Sequence, residues 1–533
     1  MRKREEKAPS GLIEFLLNPS SYPHKPRHIK HIQTHISHVF IVPPYVYKIK
    51  KPVNFGFLDF STLDKRRYYC EREVELNSRL CDAYIRVEEI SSRNGGFSFG
   101  GGDEVIEYAV KMRRLPDRYF LKNLLARGRV TKDDLLRIVE KLVEFYKRES
   151  VIQNISEYGR PERIRININE NSSLSEHFIG RTISKAAYDA IEFYNNAFFK
   201  KKSRLFEERI ERGLIKDCHG DLHIEHINLS PRGVCIYDCI EFNERFRYID
   251  IASDIAFLAM DLDFNGYSDF ANFIISEISR RMEDKTIFDI VDFYKCYRAY
   301  VRGKVESIRS GEPEVPDEQR QSSQERAKRY FRLALRYALF GSGPALIVVF
   351  GLIGAGKSTL AHALSEELSC GVVSSDSVRK EIMGIRPTER IYEGFDKGIY
   401  SRDVTDITYR EILNRGRRAV ELGKIVILDA SFSKRGFRES VLREAEALGV
   451  PFYFIETKAS EENIKKRLIE REREGGSVSD GRLEIFERFK DEFEEADEIP
   501  RDKHLTVYTD GTPGDVLTQT LTGIIDRSLL NHS

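Results

Sequence analysis

The segment ALIVVFGLIGAGKSTLAHALSEEL, residues 345 to 368, leaves few choices of fold. An apolar run reads as a buried strand, a glycine-rich turn follows it, and LAHALSEEL repeats its apolar positions at helical spacing. In such a strand–loop–helix unit, Gly351, Gly354 and Gly356, with Ala355 between the last two, let backbone amides turn inward around phosphate oxygens. The helix start adds its positive end. Lys357 is placed to reach the β- and γ-phosphates, Ser358 to ligate Mg²⁺, and Thr359 supplies a neighbouring hydroxyl. A nucleoside triphosphate site is expected here.

The strand-like runs CGVVSS, IVILDAS and PFYFIE alternate with helical segments after residue 344, which predicts a parallel sheet in a doubly wound α/β domain. Asp376, in SSDSVRKEIMG, falls at the carboxyl edge of that sheet, with Arg379 one helical turn later. There an aspartate can take the proton of an attacking hydroxyl while the arginine holds a polar or anionic part of the acceptor; capping the helix is the alternative role for Asp376. Asp429 ends IVILDAS, from where a carboxylate supports Mg²⁺ through water. Arg467 and Arg471 lie four apart before a Gly-Gly pair, as in a lid that brings cations over a triphosphate, or on a plain solvated helix. Taken in order, residues 345 to about 512 resemble the small P-loop kinases that include polynucleotide 5′-kinase, zeta toxins, chloramphenicol phosphotransferase and gluconate kinase. The resemblance implies ATP-dependent phosphorylation of a hydroxyl with Asp376 as base, and it assigns the acceptor to MGIRPTERIYEGFDKGIYSRDVTDITYREIL.

The preceding residues read differently. HVFIVPPYVYKIKKPV (38 to 53) and FSFGGGDEVIEYAVKM (97 to 112) have the punctuation of strand–turn–strand, and STLDKRRYYCEREVELNSRLC between them reads as a helix capped by Ser61 or Thr62. A small α+β lobe is expected, followed by mainly helical chain. CHGDLHIEHINL, residues 218 to 229, gathers three histidines and two acids; a zinc cluster, a structural polar loop and a catalytic loop are the three readings. H-G-D-x-H, with Lys48 on a strand, Glu73 on a helix and IYDCIEFN downstream, resembles aminoglycoside phosphotransferases, choline kinases and fructosamine kinases, which are relatives of protein kinases. The resemblance implies Asp221 as base, Lys48 on the α- and β-phosphates steadied by Glu73, and Asp238 on Mg²⁺. Lys50 and Glu75 are rival assignments. One position departs from the pattern: His226 stands where that family carries a metal-binding asparagine, and Asn228 comes two residues later. Either Asn228 is brought into place, or Glu225 substitutes, or His226 contacts the acceptor, or the domain binds a ligand without phosphorylating it. Asp250 and Asp254 are placed to cap and brace the loop.

At 533 residues the chain exceeds one hydrophobic core. It is expected to comprise a kinase-like domain at 10 to 310, a helical linker at 311 to 340 and a P-loop kinase domain at 341 to 533. Its 86 basic and 85 acidic residues create no global field for nucleic acid or membrane, and no uninterrupted apolar stretch reaches spanning length. The apolar run near the N-terminus is broken by Glu14, unlike a signal peptide, so the cytoplasm is the default location. The seven cysteines are expected as reduced, partly buried thiols, since the close pair Cys235 and Cys239 lacks a second pair. The expected activity is ATP-dependent phosphotransfer to the hydroxyl of a small molecule. A regulatory ATPase with a kinase-like sensor domain and a nucleic-acid end kinase are the alternatives, the latter disfavoured by the lack of a basic tract.

Overall fold

The computed structural model describes residues 11–93, 95–148, 152–386, 398–474 and 483–529, without the side chains of residues 471–474 and 484. Two compact units emerge, each discontinuous in sequence: Met1–Arg165 with Arg204–Tyr294, and Ile166–Ser203 with Lys295–Ser533.

In the first unit, β1 (Lys30–Gln33), β2 (Ser37–Val42), β3 (Tyr45–Lys50), β4 (Tyr84–Arg93), β5 (Gly96–Phe99) and β6 (Glu104–Arg113) form one antiparallel sheet in the order β1-β2-β3-β6-β4-β5. Phe40, Val42, Tyr47 and Ile49 pack with Leu12 and Leu16 of the helix Leu12–Leu17 on one face. On the other face Tyr108, Val110 and Met112 meet Cys70 of the helix Leu63–Ser78, which Thr62 caps by accepting from the Lys65 N–H. Successive strand residues point to opposite faces, so with Tyr47 and Ile49 on the first face, Lys48 and Lys50 turn toward that helix.

Two short antiparallel ribbons follow, β7 (Ile215–Asp217) with β10 (Tyr248–Asp250) and β8 (Ile227–Ser230) with β9 (Gly233–Ile236). Residues 218–226 connect β7 to β8, and β9 runs into Asp238. Beneath them lies the helix Ile251–Phe264, buried on every side from Ile251 to Leu262, as its nearly unbroken apolar sequence requires. Asp250 caps it through the Ala252 N–H and also pairs with Arg209, a fully buried guanidinium that reaches Asp284 as well. A buried cation is tolerated here because two carboxylates surround it.

The second unit carries a wholly parallel sheet, β11 (Ala345–Gly351), β12 (Gly371–Ser374), β13 (Ile425–Asp429), β14 (Phe452–Lys458) and β15 (His504–Tyr508), in the order β12-β13-β11-β14-β15. Central β11 is buried along its whole length, which is why it reads as a continuous apolar run. Leu346, Val348 and Phe350 point to a core shared with Tyr409 and Ile412 of the helix Arg402–Glu421 and Val441 of the helix Arg435–Leu448. The unit as a whole is the α/β P-loop architecture expected from the sequence, and the first unit is α+β and protein-kinase-like. Among the described residues no helix is long and apolar enough to cross a membrane.

After a short loop that ends at Pro316, Asp317–Phe340 is one helix, and its Asp317 and Glu318 suit the positive helix start. One reading of the sequence is corrected. Cys81 and Cys235 form a disulfide with Cα atoms 4.4 Å apart, so the thiols are not all free. Their 154-residue separation is invisible to a search for closely spaced pairs. Protein purified without reductant is expected to titrate, when denatured, with the five thiols of Cys70, Cys218, Cys239, Cys296 and Cys370. Reduction should expose the remaining pair and lower unfolding stability by about 2–5 kcal/mol in denaturant melts.

Candidate active sites

In the first unit, sheet, helix and loop converge on a set of paired charges, of which Lys50, Glu73 and Glu241 are buried. Lys48 Nζ lies 2.6 Å from Asp238 Oδ1 and 3.0 Å from Glu73 Oε1. Lys50 Nζ lies 2.7 Å from Glu73 Oε2 and also bonds Glu241. Burial disfavours both ammonium groups, but the surrounding carboxylates outweigh it and hold Lys48 well above the usual lysine range. The same balance lowers Glu73 and Asp238 against the burial that would raise them, whereas burial prevails at Glu241 and raises it. Glu75 is exposed and pairs with Arg72, so Glu73 is the acid that faces the lysines. Lys50 is 1% exposed and Lys48 14%, which leaves Lys48 as the one within reach of a ligand.

The loop that carries Asp221 is held from below. Asp254 accepts the backbone N–H groups of His219 and Gly220 at 3.0 and 2.8 Å, and Asp261 accepts that of Ile224 at 3.0 Å. At Gly220 φ is +86° and a Cβ would come within 2.7 Å of the Phe246 carbonyl, so only glycine fits. Asp221 is left about one-third exposed. Its carbonyl accepts from His226 Nδ1–H at 2.9 Å, while His226 Nε2 lies 3.6 Å from Asp238 Oδ2. Burial, reinforced by His223 with its ring centroid 3.8 Å away, lowers His226 to about 4, so the ring is neutral at pH 7. Asn228 points elsewhere, donating to the Pro116 carbonyl from within β8, and Glu225 is exposed and paired with Lys122. Thus the histidine, not either substitute, stands beside Asp238. An imidazole in place of an amide oxygen does not fit Mg²⁺, a hard ion that takes oxygen donors.

In the second unit, Gly351 ends β11 at φ +139°, where a Cβ would collide with the Thr457 carbonyl at 2.5 Å. Gly356, at φ +85°, opens the helix Lys357–Leu368. Lys357 Nζ donates to the Leu352 carbonyl at 2.9 Å, which curls the loop around its own lysine. Asp429 at the end of β13 is 3% exposed; burial raises its pKa, opposed by Lys357 and by a hydrogen bond from Ser358. That hydroxyl and carboxylate are the oxygen donors an Mg²⁺ ion at a triphosphate needs, so this set fits the ion. Ala355 is buried and Thr359 exposed. Asp376 is the second residue of the helix Ser375–Ile382, whose cap is Ser374, and it lies close enough to Asp429 for their charges to interact. Arg379 is buried: its Nη1 donates to the Ile399 carbonyl and Thr405 Oγ1 at 2.8 and 3.1 Å, and Tyr400 lies 5.0 Å from the guanidinium. Arg467, on the helix Glu461–Glu474, bonds the Thr509 carbonyl and hydroxyl, and Thr509 in turn bonds the Ala355 carbonyl. Arg471 shares that helix, but its side chain, the Gly-Gly pair and residues 387–397 of the acceptor segment lie outside the described residues.

Sequence reasoning missed four residues that shape these sites: Glu241, Asp261, Thr509 and Tyr84, whose hydroxyl accepts the Asp238 N–H. Asp261 carried a signal, for it lies seven residues, two helical turns, after Asp254 on an otherwise apolar helix. Thr509 carried none that a single sequence shows.

The family model described as "AAA domain" matches residues 346–496. Of solved structures, a gluconokinase from Sinorhizobium meliloti covers 36% of this chain and 95% of its own at 17% identity and a TM-score of 0.26. A choline kinase from Cryptosporidium parvum covers 61% of this chain and 94% of its own at 11% identity and a TM-score of 0.37. Both likenesses are partial, and the fold assignment rests on the strand order and loop geometry above. The uncharacterized proteins Rv2004c of Mycobacterium tuberculosis and Mb2027c of Mycobacterium bovis are each 31% identical over 456 residues, 85% of this chain and 88% of theirs. The likeness runs through both kinase-like units at once, and the chain belongs to the family of these mycobacterial proteins.

Proposed function

We propose that the chain is an ATP-dependent phosphotransferase whose P-loop unit moves the γ-phosphoryl group of ATP to the hydroxyl of a small molecule. The observation that carries this is the gathering, at one edge of a parallel sheet, of Lys357, Ser358 and Asp429 with Asp376 and the braced Arg379. Gly351, Gly354, Ala355 and Gly356 cradle phosphate oxygens through their backbone, with Thr359 beside them, and Arg467 and Arg471 add cations from the lid helix. Ser358 and Asp429 would hold Mg²⁺, which when bound neutralises phosphate charge. Asp376 takes the acceptor's proton as the acceptor oxygen bonds to the γ-phosphorus; the bond to the β–γ bridging oxygen breaks, and ADP leaves. Arg379, clamped by Ile399, Thr405 and Tyr400, orients a polar or anionic part of the acceptor.

The first unit is proposed as a second nucleotide site, with Lys48 on the phosphates, Glu73 steadying it, Asp221 as base and Asp238 as metal carboxylate. His226 beside Asp238 favours one rival reading, in which this unit binds its ligand and controls turnover at the P-loop.

In a phosphorylation screen of metabolites and short oligonucleotides with labelled ATP, Lys357→Ala should abolish transfer; full retained activity would show that the P-loop does not drive the chemistry. Asp376→Asn should lower kcat by about 10²–10⁴-fold with little change in KM. The lysines should separate: Lys48→Met is expected to remove nucleotide binding in the first unit while leaving its melting nearly unchanged. Lys50→Met should cost about 3–5 kcal/mol of stability, because it strands buried carboxylates.

A further inference from the structure

We propose that His226 and Asp238 hold a divalent transition-metal ion of the manganese, cobalt and zinc class, in preference to Mg²⁺, in the kinase-like unit. The tautomer of His226 is fixed by the partner of its Nδ1. A carbonyl oxygen only accepts, so the 2.9 Å bond to the Asp221 carbonyl places the ring proton on Nδ1. The bare Nε2 then faces a carboxylate oxygen, Asp238 Oδ2, at 3.6 Å. Two acceptors gain nothing from facing each other, and the distance exceeds hydrogen-bond reach. It is, however, the spacing of two ligands on one ion: atoms about 2.1 Å from a common metal lie about 3.4 Å apart at a tetrahedral angle.

The surroundings fix both ligands. Asp238 divides its oxygens, Oδ1 to Lys48 at 2.6 Å and Oδ2 to His226. His223 has the opposite tautomer: its Nδ1 accepts the Glu225 N–H at 3.3 Å, so its proton lies on Nε2, which is 3.6 Å from Asp221 Oδ2. His223 is therefore a positioning residue, packed on the His226 ring and turned to Asp221, rather than a ligand. Ligating atoms of Asp221, His223 and His226 lie within 4.8 Å of one another, and the Asp221 carboxylate, with Oδ2 3.6 Å from His226 Nδ1, places negative charge beside that ring. Imidazole suits borderline cations and is a poor donor to Mg²⁺. Water or phosphate oxygens complete the shell.

The inference rests on the Asp238 used in the proposed function, but it is read without nucleotide, so a failed transfer assay and a failed metal assay are separate results. Full-length protein is loaded with Mn²⁺ and examined by electron spin echo for imidazole-nitrogen coupling, and Co²⁺ affinity is measured by visible absorption in competition with Mg²⁺. The wild type should show the coupling and bind Co²⁺ at least about tenfold more tightly than Mg²⁺. His226→Ala should lose the coupling. His226→Asn, which restores an amide oxygen, should lose it too and shift the competition toward Mg²⁺, with circular dichroism confirming that each variant is folded. Absence of nitrogen coupling in the wild type, or coupling unchanged in a folded His226→Ala or His226→Asn protein, would overturn the proposal.

Discussion

Glu73 has no exposure to water and lies within ion-pair distance of two ammonium groups, Lys48 on one oxygen and Lys50 on the other. A buried carboxylate with no counter-charge would be far too costly to retain, so the sheet, which supplies the lysines, and the helix Leu63–Ser78, which supplies the acid, are tied together at this point. The doubling matters. One lysine, almost wholly buried and shared with Glu241, keeps Glu73 neutralised whatever the other does. Lys48 can then leave Glu73 without stranding that charge in the core.

The P-loop unit solves a related problem with backbone. Lys357 is held by the Leu352 carbonyl of its own loop, and the buried Asp429 is stabilised by Lys357 and by a hydrogen bond from Ser358. Around this set Thr509 links the loop, through the Ala355 carbonyl, to Arg467. The loop and the helix Glu461–Glu474 are thereby coupled through one hydroxyl. The two units thus hold their lysines by different means, one through an ion-pair network on an antiparallel sheet and one through a backbone carbonyl of its own loop.

What the sequence disclosed follows from where the determinants lie. The glycine loop, Asp376, Asp429 and the strands β11, β13 and β14 are local patterns, set by apolar runs and nearby punctuation, and they appear in the fold where the spacing put them. The strands β2, β3, β5 and β6 were legible for the same reason. By contrast β1 is four residues of mostly exposed, polar edge, and β4, YIRVEEISSR, carries charges along its length, so neither shows the alternation that marks a strand. Pairings between distant segments were the least legible: Cys81 with Cys235, Arg209 with Asp284, and Asp261 with the loop below Asp221. The choice between His226 and Asn228 belonged to this class too, since it depended on where β8 begins.

The interleaving of the two units has a consequence for how the polypeptide is made. Residues 166–203 belong to the same unit as 295–533, yet they are synthesised before residues 204–294, which complete the other one. The helix Lys185–Lys201 buries Ala190, Ile191, Tyr194 and Phe198, and the Lys201 side chain pairs with Asp526 near the end of the chain. At elongation rates of about 5–20 residues per second its apolar face therefore waits on the order of tens of seconds for its last partner to leave the ribosome. During that interval the face is exposed to aggregation, and neither unit can be obtained by cutting the gene at a single point.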